Sequence, residues 1–276
     1  MSRRPAGRLP RRPDSAFTLI ELMVVIAIIV VMTALMAPAF KTIKTAADVS
    51  AAVYGIKGQL DNARAYAKAN HTYVFVGFAE VDASRSASAT PQSTAAPTPY
   101  GRVAVAAVAS KDGTRRCEYK TSNQCDEWTT NYASGANLVA IGNLQVYENL
   151  HFLVNFPSWT SAAHPTSKMA RSQPSGAPYT FGLGTWTSTT PFTWPLGNSL
   201  TAGYQYRFNR VINFDPRGIA RIATITNSDE VGRRIEINFQ QTRGTVVPAV
   251  PTNQDIGNHA VLQIEGTTGG IRLYRP

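Results

Sequence analysis

Glu21 is the first residue whose chemistry demands an explanation. It is the lone carboxylate of the apolar run FTLIELMVVIAIIVVMTALMAPAF, which spans 17–40. From Leu22 to Ala37 there is no charge, and Thr33 is the one polar side chain. A carboxylate at the edge of such a run is costly in hydrocarbon unless a cation neutralises it. Its chemistry is therefore charge pairing. A second candidate is the pair Cys117 and Cys125, which brackets EYKTSNQ. In an exported chain, two close cysteines read as a disulfide closing a small loop. A metal pair is the weaker reading, because no His or third Cys stands at ligand spacing.

Catalytic constellations are not evident. His71, His151, His164 and His259 are isolated, with no HExxH spacing. There is no GxSxG elbow, no P-loop and no GxGxxG leading into a helix. The expectation is a non-enzyme with no cofactor and no metal. Arginines crowd the C-terminal third at 207, 210, 217, 221, 233, 234, 243, 272 and 275. Arginine suits phosphate recognition, but Asp215, Asp229, Glu230 and Glu236 lie among them. A solvated sheet face with ordinary charge balance is the favoured reading.

The elements that must position these groups follow from composition and pattern. The chain has 276 residues, 43% hydrophobic and 9% aromatic, enough for one sizeable domain or two small ones. Its net charge of +10 is unevenly placed. Arg3, Arg4, Arg8, Arg11 and Arg12 precede the apolar run and are offset only by Asp14, so that leader carries four of the ten charges. The run from 17 to 40 is long enough to cross a bilayer, which takes about 20 apolar residues. The arginines before it would stay cytoplasmic. Beyond Pro38, Val49, Val53, Ile56, Leu60, Ala63 and Ala67 step by four and three, which is one helix face. Pro38 should bend that helix by removing a backbone hydrogen bond. A helix over 17–70 is expected, its 17–39 part transmembrane and its 40–70 part amphipathic.

Three fates compete for the apolar run. A cleaved signal peptide would use small residues in TALMAPA, but leaves Glu21 unexplained. A plain membrane anchor has the same difficulty. In the third, cleavage falls before the run, which stays in the mature protein. Here AFTLIELMVVIAII resembles the N-terminal signature of type IV pilins and type II secretion pseudopilins. That resemblance implies cleavage by prepilin peptidase between Ala16 and Phe17, with the basic leader 1–16 removed, and N-methylation of Phe17. It implies that Glu21 pairs with the Phe17 amine of a neighbouring subunit during assembly. Ala16 stands where the family prefers Gly, and Pro38 where many members carry a helix-kinking proline.

After AKANH the texture becomes β, with strands expected over 72–78, 102–109, 137–147, 204–214, 219–225, 233–239, 260–265 and 270–275. FDPRGI and GTTGG supply turns between them. The expected fold class is α+β: a long N-terminal transmembrane helix packed on an antiparallel β-sheet globular domain, 71–276, exported to the periplasm. Loop insertions are read over 83–99, rich in Ser, Thr, Ala and Pro, and over 157–199, which carries Trp159, Trp186 and Trp194. Those rings would pin an irregular loop to the sheet or offer a partner surface, the first being favoured.

The order of elements is similar to the FimT/GspH-like branch of pseudopilins. The resemblance implies a minor subunit of a type II secretion system, anchored in the inner membrane and assembling with other pilins or pseudopilins into a periplasmic filament for protein export. One alternative is a minor pilin of a type IV pilus or competence system, with DNA or surface contact through Arg272 and Arg275. The other is a monomeric membrane-anchored binding protein.

Overall fold

The computed structural model describes residues 18–86, 88–92, 101–114, 137–152, 180–181, 190–197, 203–222, 234–247 and 259–275. The chain divides into two compact units, Met1–Lys44 and Thr45–Pro276. One helix, α1, is assigned over Leu19–Ala69 and runs through both Pro38 and the unit boundary. In the first unit every described side chain of α1, over 19–34, is exposed. Leu19 is 76% exposed and even Val25, the least so of the large apolar ones, is 44% exposed. Among the described residues no helix is long and apolar enough to cross a membrane. The side chains described at this end of the helix stop at Ala34, short of the length a crossing takes.

In the second unit the helix is one-sided. Val49, Val53, Ile56, Leu60, Ala63 and Ala67 are all fully buried, as their three-and-four spacing predicts, and Ala52 joins them. Burial of each of the larger ones, Val49, Val53, Ile56 and Leu60, contributes roughly 1.5–3 kcal/mol. The helix ends in a Schellman arrangement. His71 takes φ 49°, and the Thr72 N–H reaches back to the Ala67 carbonyl at 3.1 Å.

The strands are β1 (Val74–Asp82), β2 (Gly101–Ser110), β3 (Leu138–Ala140), β4 (Gln145–Phe152), β5 (Thr180–Phe181), β6 (Phe192–Trp194), β7 (Tyr206–Phe208), β8 (Arg210–Phe214), β9 (Ala220–Ile222), β10 (Arg234–Gln241), β11 (His259–Glu265) and β12 (Ile271–Tyr274). The main sheet runs in the order β12, β11, β10, β4, β2, β1, β8, β9, with β3 on β2 and β5 on β10. Its pairings are antiparallel except that of β5, which lies parallel to Glu236 and Ile237 of β10. The expected antiparallel sheet is thus present, with this one short parallel addition. The cause is a vacant edge: β4 covers only Phe239–Gln241 of β10, and a piece of the long insertion pairs with the part left over. The strand expected over 137–147 is two strands, broken at Gly142, whose φ of 74° takes the chain out of the ladder. The FDPRGI turn joins β8 to β9 as expected. Asp215 Oδ1 accepts from the Arg217 and Ile219 amides at 2.8 and 2.9 Å, and Gly218 takes φ 83°.

β1 is buried along its whole length because both faces are covered. Val74, Val76 and Phe78 join the core under α1, while Phe75, Ala79 and Val81 join a second core capped by the two-stranded sheet of β6 and β7. Part of the second insertion is thus regular structure, and Trp194 packs on that second core. Trp159 and Trp186 lie outside the described residues, as do residues 93–99 of the first insertion.

At Gly77 the two layers approach closely. A Cβ there would fall 2.6 Å from both the Phe192 ring and Phe208 Cβ. Gly77→Val is expected to destabilise the protein by about 1–3 kcal/mol through overpacking, read as a lower urea midpoint at unchanged slope. A midpoint equal to wild type would refute this account of the layer contact.

Candidate assembly site

α1 begins with a reciprocal cap. Thr18, the residue before the first helical turn, donates its backbone N–H to Glu21 Oε2 at 2.9 Å and its hydroxyl to the same oxygen at 2.7 Å. The Glu21 amide returns a bond to Thr18 Oγ1 at 3.3 Å. This is a capping box, in which two helix-end amides that would otherwise lack partners are satisfied. The positive end of the helix dipole favours a carboxylate at that position. Glu21 is therefore held at the head of the helix, and Ile20, Val24 and Val25 line a shallow groove beside it. Sequence reading singled out Glu21 but missed Thr18. The signal was present, since Thr18 and Glu21 make a T-x-x-E start immediately before an apolar run.

Of the other residues singled out, Ala16, Phe17, Cys117 and Cys125 lie outside the described residues. Pro38 lies within the helix assignment, its side chain outside the description. Arg272 is exposed on the edge strand β12. Arg275 donates to Ser50 Oγ on α1 at 2.6 Å, so its guanidinium ties the end of the chain to the helix. Among the described residues no group of three or more His, Cys, Asp or Glu could hold a metal ion.

The structure also joins two charged groups that sequence gave no reason to connect. Glu80 on β1 and His151 on β4 are buried, with Oε1 and Nδ1 2.5 Å apart. Glu80 Oε2 is buried without a hydrogen-bond partner. Burial pushes the Glu80 carboxyl above its ordinary value of 4.5, against the pull of the His151 hydrogen bond and charge and of the Arg210 charge. The pair has the proximity of a base and its orienting acid. Its burial makes it a structural tie between strands rather than a site open to substrate.

Residues 11–37 match the family model of the prokaryotic N-terminal methylation motif. That stretch contains Ala16, Phe17, the Thr18–Glu21 cap and most of the exposed apolar helix, and the match indicates a type IV pilin-like prepilin start. Neither a curated protein nor a solved structure matches the chain.

Because the folded value of Glu80 is raised, its contribution to stability is fully present below its ordinary value and is lost as pH rises through the folded value. Stability of the full chain should fall across that interval, and Glu80→Gln should flatten the fall. Urea midpoints measured against pH would show it. Identical profiles for variant and wild type would rule the pair out as the cause.

Proposed function

We propose that the chain is a minor pilin-like subunit, of the pseudopilin kind that serves type II secretion, whose work is assembly rather than catalysis. The observation that carries this reading is Glu21 capping a helix whose described first part, 19–34, is exposed and nearly all apolar, inside a methylation motif. The 17–39 segment would hold the subunit in the inner membrane before assembly, with the globular unit in the periplasm. Prepilin peptidase would cut between Ala16 and Phe17, leaving a cationic, N-methylated amine at Phe17.

The capping geometry adds a reason for the position of the carboxylate. Oε2 is occupied by Thr18, while Oε1 has no partner among the described residues. A helix start of this kind presents one satisfied and one available oxygen. An incoming cation would need only to approach, with no refolding of the cap. In a low-dielectric filament core such a pair is far stronger than in water, and an unmatched buried charge costs several kcal/mol. Glu21 on one subunit and the Phe17 amine of its neighbour would thereby fix the axial register of the helices. The same start would serve a minor pilin of a pilus or competence machine, and the neighbours recovered with the subunit distinguish the two.

Two substitutions separate the cap from the ion pair. Glutamine at the third helical position also completes a capping box, so Glu21→Gln keeps the helix start while removing the charge. Both Glu21→Gln and Glu21→Ala are expected to insert and to be processed normally, yet to be absent from sheared filament fractions. Wild-type incorporation of Glu21→Gln would contradict the charge-pairing role.

A further inference from the structure

The C-terminal turn region of α1 meets two glycine turns. Arg64 and Lys68 are one helical turn apart, and Lys68 is exposed. A Cβ built on Gly218 would fall 2.9 Å from Lys68 Cδ and 3.4 Å from Arg64 Nε. One built on Gly269 would fall 2.1 Å from the Gly218 carbonyl oxygen and 3.0 Å from Arg64 Cδ and Nε. With φ of 83° and 68°, these two positions also require glycine by conformation. The two turns thus close on each other and on the stems of both cations.

Carboxylates nearby are otherwise engaged. Asp215 takes two backbone amides and the guanidinium groups of Arg217 and Arg221, at 3.5 and 3.9 Å. Glu265 stands opposite Arg234 in the ladder and takes the Thr268 hydroxyl at 3.4 Å. Asp61 is paired with Lys57 at 2.6 Å. Neither Arg64 nor Lys68 has a carboxylate partner among the described residues, and Arg64 Nε is buried without a hydrogen bond. The partial negative charge of the helix C-terminus offsets only part of two full positive charges.

We propose that Arg64 and Lys68 form a docking site for an Asp or Glu side chain on a different, neighbouring subunit. This rests on the assembly reading above. Counted from Phe17, the chain keeps a net charge of +6, which opposes close approach of identical copies and favours an acidic partner. Compactness selects a carboxylate over a nucleic acid. A polyanion with one charge per about 1.7 Å of axis rewards an extended cationic track. Here two cations lie one turn apart, while Arg102 is bound to Glu148 at 2.8 Å, Arg217 and Arg221 face Asp215, and Arg275 is tied to Ser50.

The test is zero-length carbodiimide cross-linking of cells producing the full chain, followed by peptide mass spectrometry. The reagent joins a lysine amine to a carboxylate already in contact with it, and the Lys57–Asp61 pair serves as internal control. The expected product links Lys68 to an Asp or Glu of another subunit. Its yield should fall several-fold in Arg64→Glu and persist in Arg64→Lys. With the control link present, a Lys68 that remains unlinked, links only to its own chain, or links equally in Arg64→Glu would overturn the proposal. Retention of the intersubunit link in Glu21→Ala would instead count against the filament reading and leave the docking site standing.

Discussion

An ionised carboxylate at the head of a helix with an otherwise apolar surface governs the first unit of this chain. Glu21 cannot be covered by hydrocarbon or by another apolar helix without a cation beside it. Thr18 meets part of the demand by hydrogen bonding, and the helix dipole adds a fraction of a positive charge. Neither supplies the full counter-charge. The amine that peptidase cleavage would expose at Phe17 is the right sign at the right end of the segment. The proposed filament follows from that requirement: each subunit carries one unmatched anion and gains one unmatched cation, and a neighbour satisfies both.

The second unit is built to a different rule. Its part of α1 has an apolar stripe on one face only, and small residues along that stripe let the helix lie close to the sheet. Gly55 shows how close, because a Cβ there would fall 2.7 Å from the Tyr147 hydroxyl. β1 sits between two cores, so the sheet is anchored from both sides. The buried Glu80–His151 pair crosses between strands that are not neighbours in the ladder. Such a pair specifies one arrangement of the strands at the expense of some stability.

Much of this was legible in residue order. The stripe from Val49 to Ala67 is a spacing rule, and the buried helix face obeys it. Most strands lie where β-branched and aromatic residues cluster between Gly, Pro and Asn. Failures arose where local signals were absent or were overridden by tertiary context. β6 was obscured because Phe192 and Trp194 sit in a Ser-, Thr- and Gly-rich tract that reads as loop, yet the second core gives them a surface to pack on. Glu80 and His151 are 71 residues apart, so no spacing rule could join them. No local pattern links Arg64 and Lys68 to the glycine turns at 218 and 269, which come to lie against their side chains only in the folded chain. Thr18 differs from these, since its T-x-x-E pattern was local and readable.

The most direct measurement is mass spectrometry of the N-terminal peptide from protein recovered from its native membrane. The account predicts a chain beginning at a methylated Phe17, with its mass lacking residues 1–16. A chain retaining Ala16 and the basic leader would contradict it, because without the Phe17 amine Glu21 has no designed counter-ion and the assembly argument fails.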